Sequence, residues 1–257
     1  MAESAKERVL QQYGSVGDAY VRSAGHAGGN DLVRLVEVVA PASSDRLLDI
    51  ATGGGHVAKA FAPHVSEVVA SDLTPSMLAE AEKFIAGLGI TTVAFAIADA
   101  EGLPFPDESF DIVTCRIAPH HFPHPDQFVI EVARVLKHGG RFGLIDSVVP
   151  NGELGAMFNQ FELARDPSHI RSLTVDEWQE LIVAAGLLVE LVEFFPKRHD
   201  FADWTDRANV PFDQRSNVSA ILIDVGDAAI EAFHLEFDGS ELRAFTDRKA
   251  LILAEKG

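Results

Sequence analysis

The chain reads as an α/β protein built on a mostly parallel sheet with helices on both faces. Three features point that way. Short apolar runs alternate with helix-like segments from Arg46 to Val149. The runs are rich in Val, Ile, Leu and Phe and show little polar alternation, as strands covered on both faces do. The first run breaks at Asp49-Ile-Ala-Thr-Gly-Gly-Gly-His56, where glycines allow positive φ and bare backbone faces any ligand. Alternating βα units imply right-handed crossovers, and ligands of such sheets sit beyond the carboxyl ends of the strands.

Taken in order, residues 47–51, 68–72, 92–97, 110–115 and 140–148 are the strand candidates, and 57–61, 75–86 and 125–136 are the helices between them. The second helix opens Thr74-Pro75-Ser76, with proline at the first helical position. The third ends in Lys137-His138-Gly139-Gly140, basic residues followed by glycine. Beyond Val149 the rhythm changes. Residues 152–165 and 174–185 read as helices, 187–195 and 249–255 as strands, and 196–248 as a mixed, largely helical segment. An N-terminal helical arm or lid over residues 1–40, a ligand-binding core over 41–150 and a completing segment over 151–257 are expected within one domain.

Composition narrows the function. Thirty-nine acidic residues against 21 basic ones give a formal charge of −18, which disfavours a nucleic-acid partner, since such binding rests on Lys and Arg neutralising phosphates. The single cysteine, Cys115, excludes an intrachain disulfide and fits a reducing compartment. No apolar run nears the roughly 20 residues that span a bilayer, and Met1 to Gln12 does not read as a secretory signal. A cytoplasmic protein with no membrane insertion is expected; its oligomeric state stays open.

Three acids end successive runs: Asp49 in the first, Asp72 after the second and Asp99 after the third. A carboxylate at the second strand end is placed to hold a ribose diol. Acids around one crevice favour a cationic nucleoside over a diphosphate, and Ala51-Thr-Gly53-Gly-Gly55 lacks the spacing of G-x-G-x-x-G. Four motifs then stand in series: 49–56, Val69-Ala-Ser-Asp-Leu-Thr-Pro-Ser-Met77, the stretch from Ala98 to Asp111, and Val132-Ala-Arg-Val-Leu-Lys-His-Gly-Gly140. Together they resemble the class I S-adenosylmethionine-dependent methyltransferases, and within them the ubiquinone/menaquinone C-methyltransferase branch and its small-molecule relatives.

The resemblance implies a Rossmann-like sheet of seven strands with an antiparallel last strand, residues 187–195 and 249–255 being the sixth and seventh. It implies S-adenosyl-L-methionine as cofactor, with Asp49 and the backbone of Ala51, Gly53 and Gly55 along its methionine part. Asp72 would hold the ribose, Leu73 the adenine face, and Asp99 and Ala100 the adenine amine. Arg116 and Ile117 would close the pocket near the methyl. The family carries glycine where this chain has Ala51, so an altered turn is expected there.

For the reaction, transfer to an oxygen or carbon of a small, partly apolar acceptor is expected, with His120 or His121 as base or substrate contact. Arg165, His169 and Arg171 are candidates for an anionic substrate, His56 for the pocket, and Tyr13 or Tyr20 for a lid. Trp178 reads as core. His120, His121 and His124 do not match helical zinc spacing, so no metal is expected. A ligand-binding protein without catalysis and an NAD-dependent oxidoreductase are the alternatives.

Overall fold

The computed structural model describes residues 4–14 and 29–257. Helix α1 (Ala5–Gly14) and helix α2 (Asn30–Val39) precede strand β1 (Arg46–Ile50). Then follow α3 (His56–Phe61), β2 (Glu67–Asp72), α4 (Pro75–Gly87), β3 (Val93–Ile97), β4 (Phe110–Arg116), α5 (Pro125–Val135) and β5 (Leu136–Val148). The C-terminal part adds α6 (Glu153–Arg165), α7 (Val175–Ala184), β6 (Leu187–Asp200), α8 (Phe201–Arg207), α9 (Arg215–Ile223), α10 (Asp227–Phe233), β7 (Glu236–Asp238) and β8 (Glu241–Lys256).

The sheet order is β3-β2-β1-β4-β5-β8-β6, with β7 paired to β8 outside that path. The pairs β1–β2, β1–β4, β2–β3 and β4–β5 are parallel, while β8 runs antiparallel between β5 and β6. The short β7 makes an eighth strand beside the seven expected.

Both faces of the central strands are apolar because each face has its own helical layer. Leu48, Val113, Phe142 and Ile252 pack on one side with Phe128 and Val132 of α5 and Trp178 and Ile182 of α7. Leu47, Ile112, Ile145 and Leu251 pack on the other with Leu35 of α2 and Phe61 of α3. Trp178 is core, as its helical position implies. A third cluster joins α6, α8, α9 and α10 to the start of β8 through Phe158, Phe161, Trp204, Leu222, Phe233 and Phe245.

Two boundaries differ from the sequence reading. Helix α5 stops at Val135, and Leu136 already pairs with Phe110 in β4. The Lys-His-Gly-Gly stretch is therefore a strand irregularity, where register jumps from Phe110↔Leu136 to Ile112↔Arg141 and Gly139 takes φ +71°. Strands β6 and β8 also run past the sheet as a two-stranded ribbon, pairing Lys197↔Asp247 through Asp200↔Ala244. Residues 196–248 thus hold the ends of two strands as well as three helices. The less exposed positions of the ribbon on β6 are Lys197 and His199, so no apolar alternation marks it in the sequence.

Gly143 of β5 sets how closely α2 sits on the sheet, because a Cβ there would lie 2.7 Å from Leu35 and 3.1 Å from Val39. Gly143→Val should cost about 1–3 kcal/mol in urea unfolding, the scale of overpacking a close-fitted core. An unchanged unfolding midpoint would show that α2 is not seated as described.

Candidate active site

A cleft of about 1120 Å³, including its open mouth, lies across the carboxyl ends of β1, β2, β3 and β4. Asp49, Ala51, Gly53, Asp72, Leu73, Asp99, Ala100, Arg116, Ile117 and His121 all line it. Side chains separated by up to 72 positions in sequence thus share one wall because parallel strands end at one edge.

Asp72 joins the first turn to the second. Its Oδ2 accepts from Gly53 N–H at 3.0 Å and its Oδ1 from Thr74 N–H at 2.9 Å. Those two bonds use two of about four acceptor positions on the carboxylate. Burial raises its pKa against these hydrogen bonds. Asp49 is 1% exposed and its oxygens accept from Thr52 and Thr114 hydroxyls at 2.6 and 2.9 Å. Burial dominates and pushes Asp49 up to about 7. Asp99 accepts from Lys6 of α1 at 2.6 Å, and Lys6 also reaches Glu101 at 2.7 Å. Arg116 is anchored by Asp31 at the start of α2 at 2.8 Å. Four carboxylates, Asp49, Asp72, Asp99 and Glu101, therefore face two cations, Lys6 and Arg116, in this cleft.

The cleft wall is strained at two positions that are not glycine, one in the turn after β1 and one after β4. Ala51 holds φ +52°, beside Gly53 at +52° and Gly55 at +78°. The turn thus keeps its left-handed geometry with an alanine in it, rather than relaxing to another shape. Ile117, a β-branched residue at φ +55°, is a rarer outlier. Its N–H donates to Ile145 at 2.7 Å, which fixes the bend after β4. Such strain is characteristic of sites whose surroundings over-determine the backbone.

Ile117, Tyr13 and His121 also line a second cavity of about 670 Å³, so the two spaces meet there. The sequence Pro119–His121 forms a single helical turn that presents both histidines. His120 Nδ1 lies 2.7 Å from Asp146 Oδ1 of β5. Donation from Nδ1–H leaves the lone pair on Nε2, in the wall of the second cavity. Burial works to lower the His120 pKa, but the Asp146 carboxylate outweighs it and leaves it raised. His121 is held differently, with Nδ1 3.1 Å from the Ser168 carbonyl and Nε2 2.9 Å from the Tyr13 hydroxyl. Burial and neighbouring His120 lower it to about 4.

Other expected site residues divide. Arg165 and His169 line the second cavity. Arg165 lies 4.6 Å above the Trp204 ring, and His169 Nε2 is 2.9 Å from Asn159 Oδ1. Arg171 lines neither space; its guanidinium pairs with Glu177, because the bend after α6 turns it outward. Gly55 does not line the cleft either. It caps α3 at φ +78°, a left-handed conformation that favours glycine. His56 is buried in the cleft wall, edge-on to Phe84. Tyr20 lies outside the described residues.

The sequence reading missed Lys6, Asp31 and Asp146, along with Lys197, His199 and Asp247 of the ribbon and Lys249 of β8, which line the second cavity. Asp146 carried a signal: an acid in an otherwise apolar buried run, Gly143-Leu-Ile-Asp146-Ser-Val148.

Comparisons with known proteins now bear on this geometry. A family model described as a methyltransferase domain matches residues 48–144. YcgJ of Bacillus subtilis, named an uncharacterized methyltransferase, is 38% identical over 208 residues, covering 80% of this chain and 82% of that protein. A demethylmenaquinone methyltransferase of Clavibacter sepedonicus is 30% identical over 199 residues, covering 76% and 78%. The crystal structure of a presumptive methyltransferase from Bacillus halodurans superposes with a TM-score of 0.86 at 40% identity, covering 89% of this chain and 99% of that one.

A left-handed alanine costs about 1–2 kcal/mol, against roughly 0.5–1 kcal/mol for the extra freedom glycine loses on folding. Ala51→Gly should therefore raise the unfolding free energy by about 0.5–1 kcal/mol in a urea titration. A loss of stability would mean that packing of the Ala51 methyl outweighs backbone strain.

Proposed function

Since the chain belongs to the class I methyltransferase family, we propose that the first cleft binds S-adenosylmethionine and the second receives the methyl acceptor. The observation that carries this reading is the convergence of Asp49, Asp72 and Asp99 on one cleft beside a glycine-rich turn. The site fits the group: an excess of carboxylates suits a sulfonium, and Asp72 keeps acceptor capacity for a ribose diol after its two backbone bonds. Leu73 and Ala100 supply apolar wall for a purine, and Asp99 exchanges Lys6 for an adenine amine. Asp49 orders the turn through Thr52 and Thr114. The cofactor supplies a methyl group on a positively charged sulfur that leaves as a neutral thioether.

The chain's own task is to align the acceptor, exclude water and take a proton where the nucleophile carries one. His120 is the base in this reading. Asp146 fixes its tautomer and stabilises the imidazolium that forms, while Nε2 faces the acceptor space. His121 positions Tyr13 instead, because its Nε2 already accepts from that hydroxyl. Tyr13, carried on α1, closes the seam between the two spaces as a lid. A cytoplasmic setting without a nucleic-acid partner fits the buried lone Cys115 and the charge of −18. Among the described residues no helix is long and apolar enough to cross a membrane.

In calorimetry with S-adenosylhomocysteine, Asp72→Ala should weaken binding by about 1–3 kcal/mol, the scale of losing hydrogen bonds to a charged group; an unchanged dissociation constant removes Asp72 from the site. Turnover should need neutral His120. Because its pKa is raised, the rate should climb with pH through a midpoint above 6.5. Asp146→Asn should move that midpoint down, and His120→Gln should slow turnover about 10²–10⁴-fold with cofactor affinity intact. A pH profile identical in parent and Asp146→Asn contradicts the dyad.

A further inference from the structure

Asn159 of α6 fixes the tautomer of His169. Its Nδ2 lies 3.2 Å from the Gly155 carbonyl and 3.0 Å from the Ser172 carbonyl, and its Oδ1 accepts from the Ser172 backbone N–H at 2.6 Å. Carbonyls only accept and a backbone N–H only donates, so the amide stands one way round. His169 Nε2 lies 2.9 Å from the same Oδ1, so this nitrogen carries the hydrogen and donates. Burial first, and then His120 and His121, lower the His169 pKa to about 2. The ring is therefore neutral, with a lone pair on Nδ1, and it meets a guest as a hydrogen-bond acceptor rather than as a cation. His120 has the opposite tautomer. Its hydrogen sits on Nδ1 against Asp146, which leaves the lone pair on Nε2. The two rings lie 5.6 Å apart, 32° from parallel, and both line the second cavity. Among the described residues neither lone pair receives a donor. His121 adds no third, because the Tyr13 hydroxyl lies 2.9 Å from its Nε2. Ser172 lines the same space, and its buried hydroxyl has no partner among the described residues. A guest bringing one hydroxyl would cover one imidazole lone pair and leave the other dry and unmet, which is costly. Two neighbouring hydroxyls meet both.

Resting on the reading of the first cleft as the cofactor site and of His120 as base, we propose that the methyl acceptor carries two neighbouring hydroxyl groups. His169, held by Asn159, binds the hydroxyl that is not methylated. That hydroxyl donates to His169 Nδ1, and its oxygen accepts from Ser172 Oγ, so a carbonyl in its place, which brings no donor, fits less well. The other hydroxyl gives its proton to His120 Nε2, its oxygen bonds the methyl as the sulfur–methyl bond breaks, and the bonding pair stays on sulfur. The two histidines differ in what stands behind them. His120 has the Asp146 carboxylate to stabilise an imidazolium, whereas His169 has a neutral amide. One hydroxyl of the pair is therefore deprotonated and methylated, and the other is held.

The test passes a deproteinised cell extract over phenylboronate resin, which retains molecules with neighbouring hydroxyl pairs, and incubates each fraction with the protein and methyl-labelled S-adenosylmethionine. Label should enter molecules of the retained fraction. Label chiefly in the unretained fraction overturns the proposal. Ser172→Ala removes a hydroxyl that has no partner in the fold, so it should unfold in urea as the parent does and bind S-adenosylhomocysteine equally well. Its KM for the retained fraction should nevertheless rise about tenfold, the scale of one lost hydrogen bond. His169→Phe should raise that KM by at least as much. An unchanged KM in both variants overturns the assignment of the held hydroxyl. Where neither fraction takes label, a ¹H–¹⁵N spectrum of the histidine rings decides. A His169 ring that stays neutral, with hydrogen on Nε2, well below the ordinary histidine pKa of about 6.5 supports the site. Titration near that value, or hydrogen on Nδ1, overturns it. Failure of the parent to bind S-adenosylhomocysteine strikes the cofactor reading instead, and the ring spectrum, recorded without cofactor, keeps the two failures apart.

Discussion

The carboxylate of Asp72 holds the N–H groups of Gly53 and Thr74, one on each oxygen. Through the first bond it fixes the glycine turn after β1 against the end of β2. Through the second it satisfies a backbone donor at the entry to α4, where Thr74 makes no side-chain cap. The turn is costly, with positive φ at Ala51, Gly53 and Gly55, and it persists because β1, β2 and α4 are locked around it. Much of the first cleft follows from that lock. A turn that relaxed would withdraw the bare backbone from the cleft and leave a buried carboxylate without donors.

Two neighbouring spaces open at the carboxyl edge of the sheet. The first cleft is edged by strand-end carboxylates, and the second by cations and carboxylates together, among them Lys197, Asp247 and Lys249 of β6 and β8. They meet at Tyr13, Ile117 and His121, where the backbone of Ile117 is strained. Asp146 and His120 stand beside this junction, oriented by a 2.7 Å hydrogen bond that the buried end of β5 makes possible.

The first cleft was legible in the sequence because its parts are local. Each of Asp49, Asp72 and Asp99 follows or ends its own apolar strand, and alternation of strand with helix sends those ends to one edge. The second cavity was not legible in that way. Lys197, His199, Asp247 and Lys249 come together only through antiparallel pairing across some 50 residues, and the β6 end carries no apolar alternation to mark it as a strand. Lys6 and Asp31 enter from helices that carry no motif. Arg171 shared a polar bend with His169, yet only the latter turned inward, a distinction that side-chain packing decides and residue type does not. The glycine pair at 139–140 signalled a helix end and instead built a strand irregularity, since Leu136 gains a partner in Phe110 as soon as α5 stops.

The most direct measurement is a crystal structure of the protein with S-adenosylhomocysteine. Ribose hydroxyls within hydrogen-bonding distance of the side chain at 72, and a sulfur facing the junction of the two spaces at Ile117, are the expected result. A nucleoside seated away from the glycine turn, or a sulfur turned from the histidine pair, would contradict the assignment of the two spaces.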